Sequence, residues 1–325
     1  MWGWVVAAPV VSAAGTWLAR RYAMRRDLLD APGERRSHST PTPRGGGAGP
    51  IAAIAMLLVV FRTGDALAGA DWRWLLGGLL GVGAIGAWDD HRPLGAGVRL
   101  LVHVVAGAAM AAAFGLWDRP LLAIAVAIAT TVAINVWNFM DGIDGIASTQ
   151  AAVVTGASIA FARVDAAGFA LGCTLAILAF VPFNFPRARI FLGDVGSGAL
   201  GYVLVMLAVA TSLGGHRSGA WLLLLFPAAA FLVDATLTLG RRMLEGERWW
   251  TPHTRHLYQV WARRAGHPRV TLAYGIWSLA GAGFAVWAAG RGSMFIVVSL
   301  GVWYTTAAGL WVFMQARSTE WSATA

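Results

Sequence analysis

Lysine is absent from this chain, cysteine occurs once, and only 13% of the 325 residues are charged. Each shortage excludes something. The lone Cys173 lies inside an apolar run, so neither a disulfide nor a thiolate metal site can be built from this sequence. With so few charges, 58% hydrophobic residues and 17 tryptophans, an ordinary soluble domain is excluded as well. No domain boundary and no internal repeat stands out, which leaves residues 1–325 as a single polytopic domain.

What is present is a succession of apolar runs near the length that crosses ~30 Å of hydrocarbon. Eleven can be read: 2–20, 46–62, 74–88, 98–117, 120–138, 147–162, 167–183, 195–213, 219–240, 270–290 and 293–314. The third is short and the sixth ambiguous, so ten is the alternative count. The expected fold is therefore an all-α integral membrane protein with about eleven transmembrane helices. The first run has no basic residue before it and a basic cluster after it, which reads as an anchor with its N-terminus outside rather than a cleaved signal.

Because all 25 basic residues are arginine, the topology rests on arginine alone. Nineteen fall in the odd-numbered loops and the C-terminal tail; six, Arg62, Arg73, Arg119, Arg163, Arg217 and Arg291, fall in the others. The positive-inside rule then places the polar loops 20–45 and 241–269, and the C-terminus, in the cytoplasm. The net charge of +9 becomes a basic face beside anionic lipid, not a nucleic-acid groove.

The chemistry-bearing residues lie in the polar breaks on that same face. Adjacent Asp89 and Asp90 close the third run. Two neighbouring carboxylates repel unless a cation compensates, which Mg²⁺ or a proton would do. Arg99 follows as a partner for lipid headgroup or diphosphate. Asn135, Asn138, Asp141 and Asp144 recur every third residue, one polar stripe if helical, with Gly142 and Gly145 permitting a break. Such a stripe also suits a plain interhelical hydrogen-bond seam. Asp194 opens the eighth run in GDVGSGALG, whose glycines suit either close backbone approach to an anion or helix packing. In TPHTRHLYQ, His253 and His256 lack a third metal ligand, so hydrogen bonds to phosphate or sugar are the better reading.

Taken in order, these segments resemble the polyprenyl-phosphate N-acetylhexosamine-1-phosphate transferases, glycosyltransferase family 4. DAPGERRSHSTPTPRGGG (30–47) is similar to a family segment D-x-P-x-x-R-x-x-H-x-x-P-T-P-R-x-G-G. WDD (88–90) with Arg99, NVWNFMDGIDGIA (135–147), FNFPRARIFLGDVGSGALG (183–201), P-x6-D-x6-RR (227–242) and the histidine loop follow.

The resemblance implies ten or eleven helices around a cytoplasmic cleft in a bacterial inner membrane. It also implies transfer of a sugar-1-phosphate from a UDP-N-acetylhexosamine to undecaprenyl or another polyprenyl phosphate, with Mg²⁺ or Mn²⁺, as the first membrane step of a glycan such as O antigen. By the same resemblance Asn138 and Asp194 hold the metal, Asp89 and Asp90 sit beside the attacking phosphate, and Arg99, at a position usually lysine, neutralises the diphosphate. Asp141, Asp144 and Asn184 place the nucleotide, Arg44 and Asn135 contact substrate, and His253, Arg255 and His256 address the sugar, with His256 also in the catalytic set. Relatives often carry Asp followed by His-x-His-His where this chain has His253 and then His256-Leu257-Tyr258-Gln259. Nothing in the sequence opposes a homodimer. The rival is a transporter using the carboxylates as an ion relay, but it would call for charges at mid-span and two related halves.

Overall fold

The computed structural model describes residues 2–31, 40–63, 65–214, 219–248, 251 and 253–323. Helices make up most of it: α1 (Trp2–Arg25), α2 (Ala48–Val60), α3 (Trp72–His91), α4 (Ala96–Ala113), α5 (Pro120–Phe139) and α6 (Ile146–Ile159). The second half holds α7 (Val164–Asn184), α8 (Asp194–Gly214), α9 (Trp221–Leu244), α10 (Leu257–Ala265), α11 (His267–Ala288) and α12 (Ser293–Ala323). A two-stranded antiparallel ribbon pairs β1 (Leu29–Asp30) with β2 (Thr42–Pro43), Leu29 opposite Pro43. The stretch 32–39 of the N-terminal motif, with Arg35 and His38, lies outside the described residues.

Each of the eleven apolar runs is one helix, and α10 is the addition. Eight helices, α1, α4, α5, α7, α8, α9, α11 and α12, are long and apolar enough to cross a bilayer. Among the described residues, eight of the eleven expected spans thus meet that measure of length and composition. At 13 and 14 residues, α2 and α6 extend only about 20 Å, short of ~30 Å of hydrocarbon. The second run gives up its first two residues to the α7–α8 connection: the Gly46 and Gly47 amides donate to the carbonyls of Phe191 and Leu192, at 2.9 and 2.8 Å.

Outside, the helices present Trp2, Val6, Leu101, Leu121, Ile276 and Val302 to the surroundings. An apolar surface this extensive is stable against lipid, so the chain is a multi-pass membrane protein. Inside, α8 is the central post, packed by α3, α5 and α6. Its glycines serve this packing: a Cβ on Gly196 would stand 2.7 Å from the Gly47 Cα.

The polar breaks gather at one end of the bundle. The Arg20 Nε donates to the Arg189 carbonyl (3.1 Å), the Phe191 amide to the Pro43 carbonyl (2.8 Å), and Thr271 Oγ1 to the Asp144 carbonyl (2.8 Å). The end of α1, the α5–α6 turn, the α7–α8 connection and the start of α11 therefore share one face. That is the loop grouping the arginine asymmetry requires.

Candidate active site

Three carboxylates from two helices converge at this face. The last turn of α3 supplies Asp89 and Asp90, and the first residue of α8 supplies Asp194. Asp90 is buried and accepts the backbone N–H groups of Asp194 (Oδ1, 3.1 Å) and Val195 (Oδ2, 3.2 Å). It therefore fills the anion position at the α8 N-terminus that the sequence offered to a substrate phosphate. Gly193, with φ +75°, makes the approach possible: a Cβ there would be 2.6 Å from Asp90 Oδ2. Asp89 accepts from the Leu94 amide and, at 2.9 Å, from Arg99 Nη1, which also reaches Asp194 Oδ2 at 3.5 Å. Asn138 Nδ2 donates to Asp194 Oδ1 (2.8 Å) and Ser197 Oγ (3.0 Å). With both amide hydrogens committed, Oδ1 is the atom Asn138 can offer a ligand.

The four-residue polar stripe does not form. Helix α5 ends at Phe139 and α6 starts at Ile146, so Asn135 and Asn138 are helical while Asp141 and Asp144 lie in the turn between. That turn walls a polar cavity of about 270 Å³, whose lining includes Arg44, Asp90, Asn138, Asp141, Asp144 and Asp194. Burial, then the charges of Asp90 and Asp144, raise the Asp141 pKa to about 8. Asp144 is held from two sides: Ala188 N–H donates to Oδ2 (3.2 Å), and His267 Nδ1 is 3.3 Å from Oδ1. Asn184 also lines the cavity, but its amide is engaged with Gly145 N–H (2.9 Å) and the Ile190 carbonyl (3.1 Å), so it fixes the walls. The Arg44 Nε is buried with no hydrogen-bond partner among the described residues, a cation facing the cavity with spare donor capacity.

A second cavity, about 640 Å³ and mostly apolar, runs between α3, α4, α5, α8 and α9. Its walls include Val82, Ile85, Leu100, Val132 and Leu239, and its polar end carries Arg99, Asn138 and Asp194. Asn138 and Asp194 line both cavities. Asn135 lies deeper in the groove, where its Nδ2 meets His103 Nδ1 at 3.1 Å.

No group of three or more His, Cys, Asp or Glu side chains is arranged to hold a metal among the described residues. The donor set nevertheless fits Mg²⁺, which takes one or two carboxylates and fills its remaining positions with water and phosphate oxygens. Asp194, the free Oδ1 of Asn138 and Asp89 supply that much, and the two carboxylates that share Arg99 leave an excess of negative charge.

The histidine loop stands apart. His253, Arg255 and His256 line neither cavity. Arg255 is clamped by Glu245 (2.7 Å) and Glu247. His256 is buried, its Nδ1 3.6 Å from Asp234 Oδ1, and His253 Nδ1 accepts the Arg255 amide at 3.2 Å. The three residues expected to address the sugar therefore lie outside both of these cavities. The physical cause is Asp234, which accepts the Leu257 and Tyr258 amides (2.9 and 3.1 Å) and so draws the start of α10 against α9. Gln259 and His267, which sequence reasoning missed, line the polar cavity instead.

Residues 72–212, which span α3 to α8, match the model of glycosyl transferase family 4. An undecaprenyl-phosphate alpha-N-acetylglucosaminyl 1-phosphate transferase of Yersinia pestis is 25% identical over 297 residues, covering 83% of this chain and 80% of its own length. A decaprenyl-phosphate N-acetylglucosaminephosphotransferase of Mycobacterium leprae is 28% identical over 318 residues, covering 83% and 79%. The Escherichia coli K12 undecaprenyl-phosphate alpha-N-acetylglucosaminyl 1-phosphate transferase is 25% identical over 273 residues, covering 77% and 73%.

Proposed function

We propose, from the match of residues 72–212 to glycosyl transferase family 4 and the likeness to polyprenyl-phosphate transferases, that the protein transfers an N-acetylhexosamine-1-phosphate from a UDP-sugar to undecaprenyl or another polyprenyl phosphate, releasing UMP. The observation that carries this reading is the meeting of a polar, acid-walled cavity and an apolar groove at Asn138 and Asp194. One substrate of such a reaction is a water-soluble diphosphate and the other is a lipid. Two chambers that share one polar wall suit that pair.

The lipid phosphate lies at the polar end of the groove beside Arg99, its chain along Leu100, Val132 and Leu239. The nucleotide occupies the polar cavity, where Arg44 meets a phosphate and Asp141, protonated near neutral pH, can donate a hydrogen bond. A new P–O bond forms from the lipid phosphate oxygen to the sugar-bearing phosphorus, and the bond from that phosphorus to the bridging oxygen breaks, leaving UMP. Mg²⁺ or Mn²⁺, held by Asp194 and the Asn138 oxygen, supplies positive charge to the diphosphate. Asp89 faces the attacking phosphate, while Asp90 fixes the backbone that carries Asp194. Phosphoryl transfer is mainly positioning and charge neutralisation, and these residues provide both.

The arginine asymmetry supports a cytoplasmic site in a bacterial inner membrane, on the side where UDP-sugars are made, at the start of a cell-envelope glycan such as O antigen. The test is to incubate purified protein and Mg²⁺ with undecaprenyl phosphate and a panel of UDP-sugars while following UMP. Release that depends on both lipid and one N-acetylhexosamine is expected. UMP release without lipid phosphate, or none with any sugar, overturns the reading.

A further inference from the structure

Tyr258 stands where the family pattern places a histidine, and it does not face a cavity. It is fully buried in the first turn of α10. Its hydroxyl donates to the Phe139 carbonyl at 3.0 Å and takes a hydrogen bond from the Gly142 backbone. Phe139 is the last residue of α5, so its carbonyl has no helical partner and needs one from elsewhere. Residues 139 and 142 bracket Asp141, and Asn138 immediately precedes them. One hydroxyl therefore closes the turn that carries a proposed metal-side amide and a cavity carboxylate.

The other end of this side chain's backbone is equally fixed. The Tyr258 amide is bound by Asp234 Oδ2, and Asp234 also receives Thr238 Oγ1 (3.0 Å), Leu257 N–H, Trp311 Nε1 (3.1 Å) and the Tyr274 hydroxyl (2.8 Å). Helices α9, α10, α11 and α12 thus meet on one carboxylate. The clearance at the other end is small: a Cβ on Gly142 would collide with the Tyr258 hydroxyl and stand 3.1 Å from its Cζ. A buried tyrosine satisfying its own hydroxyl would be ordinary. Here the partners are the two backbone groups that set the geometry of the site.

We propose that Tyr258 is a positioning residue for the transfer reaction, holding the Asn138–Asp141 turn in register with Asp194 through α10 and Asp234. The proposal rests on the functional reading above. It also gives the loop 241–269 a means of acting on the acid centre without touching substrate.

The test uses the full-length protein in detergent with Tyr258→Phe, Gly142→Ala and the double variant. Tyr258→Phe takes from the Phe139 carbonyl its partner at the end of α5, and loosening a reacting group's mount should lower kcat about tenfold or more. Half-saturating Mg²⁺ should rise as well, while KM for the polyprenyl phosphate holds, because the groove walls are untouched. Gly142→Ala should be worse, and adding Tyr258→Phe to it should recover part of the loss, since the oxygen it strikes is gone. Wild-type turnover with an unchanged Mg²⁺ requirement in Tyr258→Phe overturns the proposal, as does a double variant that loses the product of the two single losses. If wild-type protein releases no UMP, the functional reading fails, and the same reciprocity is read in melting temperature: Gly142→Ala lowers it and Tyr258→Phe restores part. Independent effects of the two on melting would overturn the proposal in that case.

Discussion

Asp90 holds Asp194 by its backbone: the Asp90 carboxylate accepts the Asp194 amide at 3.1 Å and the next amide, of Val195, at 3.2 Å. Two acidic residues that the sequence presents as equals are therefore a mount and the group it carries.

This division predicts different failures. Asp90→Asn turns an N–H donor toward the α8 amides and removes the charge at that helix end, a loss of about 1–2 kcal/mol. Its melting temperature and its turnover should fall together. Asp194→Asn keeps the backbone bonds and should melt no lower than wild type, yet keep less than about a tenth of the activity, a barrier of at least ~1.4 kcal/mol. An Asp90→Asn protein that melts normally but is inactive would make Asp90 a chemical participant instead.

Arg99 lies 2.9 Å from Asp89 and 3.5 Å from Asp194, and so screens the acid centre while no cation is bound. Arg99→Met should lower the melting temperature in EDTA, and added Mg²⁺ should raise it more than it raises the wild type. Equal Mg²⁺ shifts in the two proteins would mean that the metal does not share this site.

The pH response of the histidine loop has a definite sign. Burial, then the neighbouring His256, Arg242 and Arg255, lower the His253 pKa to about 4, below the ~6.5 of an unfolded histidine. Between those values the unfolded chain binds the extra proton, so this stabilisation is present above about pH 6.5 and is lost as pH falls toward 4. Melting temperature should drop over that window, and His253→Gln should drop less. Parallel curves for the two proteins would remove His253 as the source.

The runs, their order and the shared face could be read in the sequence because hydrophobic length and arginine placement are local signals. Residues 74–88 and 147–162, the short and ambiguous runs, are indeed helices. The shortening of α2 could not be seen, because it follows from a contact between residues 46–47 and 191–192. The same holds for the site. Asp89, Asp90, Asn138, Asp141, Asp144 and Asp194 were visible as polar residues at apolar boundaries, and the structure brings them together. Which of them caps a helix depends on a partner more than a hundred positions away. That His253, Arg255 and His256 stand outside both cavities could not be seen either, because it follows from Asp234, one more boundary carboxylate in the sequence, drawing the start of α10 against α9. Tyr258 offered no sign of its role, since nothing near it in the sequence shows that its hydroxyl meets Phe139.

Membrane sidedness can be checked directly, because Cys173 is fully buried and contributes little background to thiol labelling. Single cysteines introduced at positions 38 and 253 should resist an impermeant thiol reagent in intact cells, while one at 216 should react. The reverse pattern would put the acid centre outside and separate it from UDP-sugars.

The groove of about 640 Å³ that ends at Arg99 and Asp194 has a consequence for what the protein can measure. On the proposed reading it would take the first segment of a prenyl chain, and everything beyond that segment would stay dissolved in the bilayer. Such a slot is a gauge with a short scale. Carriers trimmed to less than the slot should be used poorly, and each added isoprene should help until the slot is full. After that, rate should be indifferent to length. A rate that kept climbing with every further unit would show that the whole tail is gripped, along a surface outside this groove.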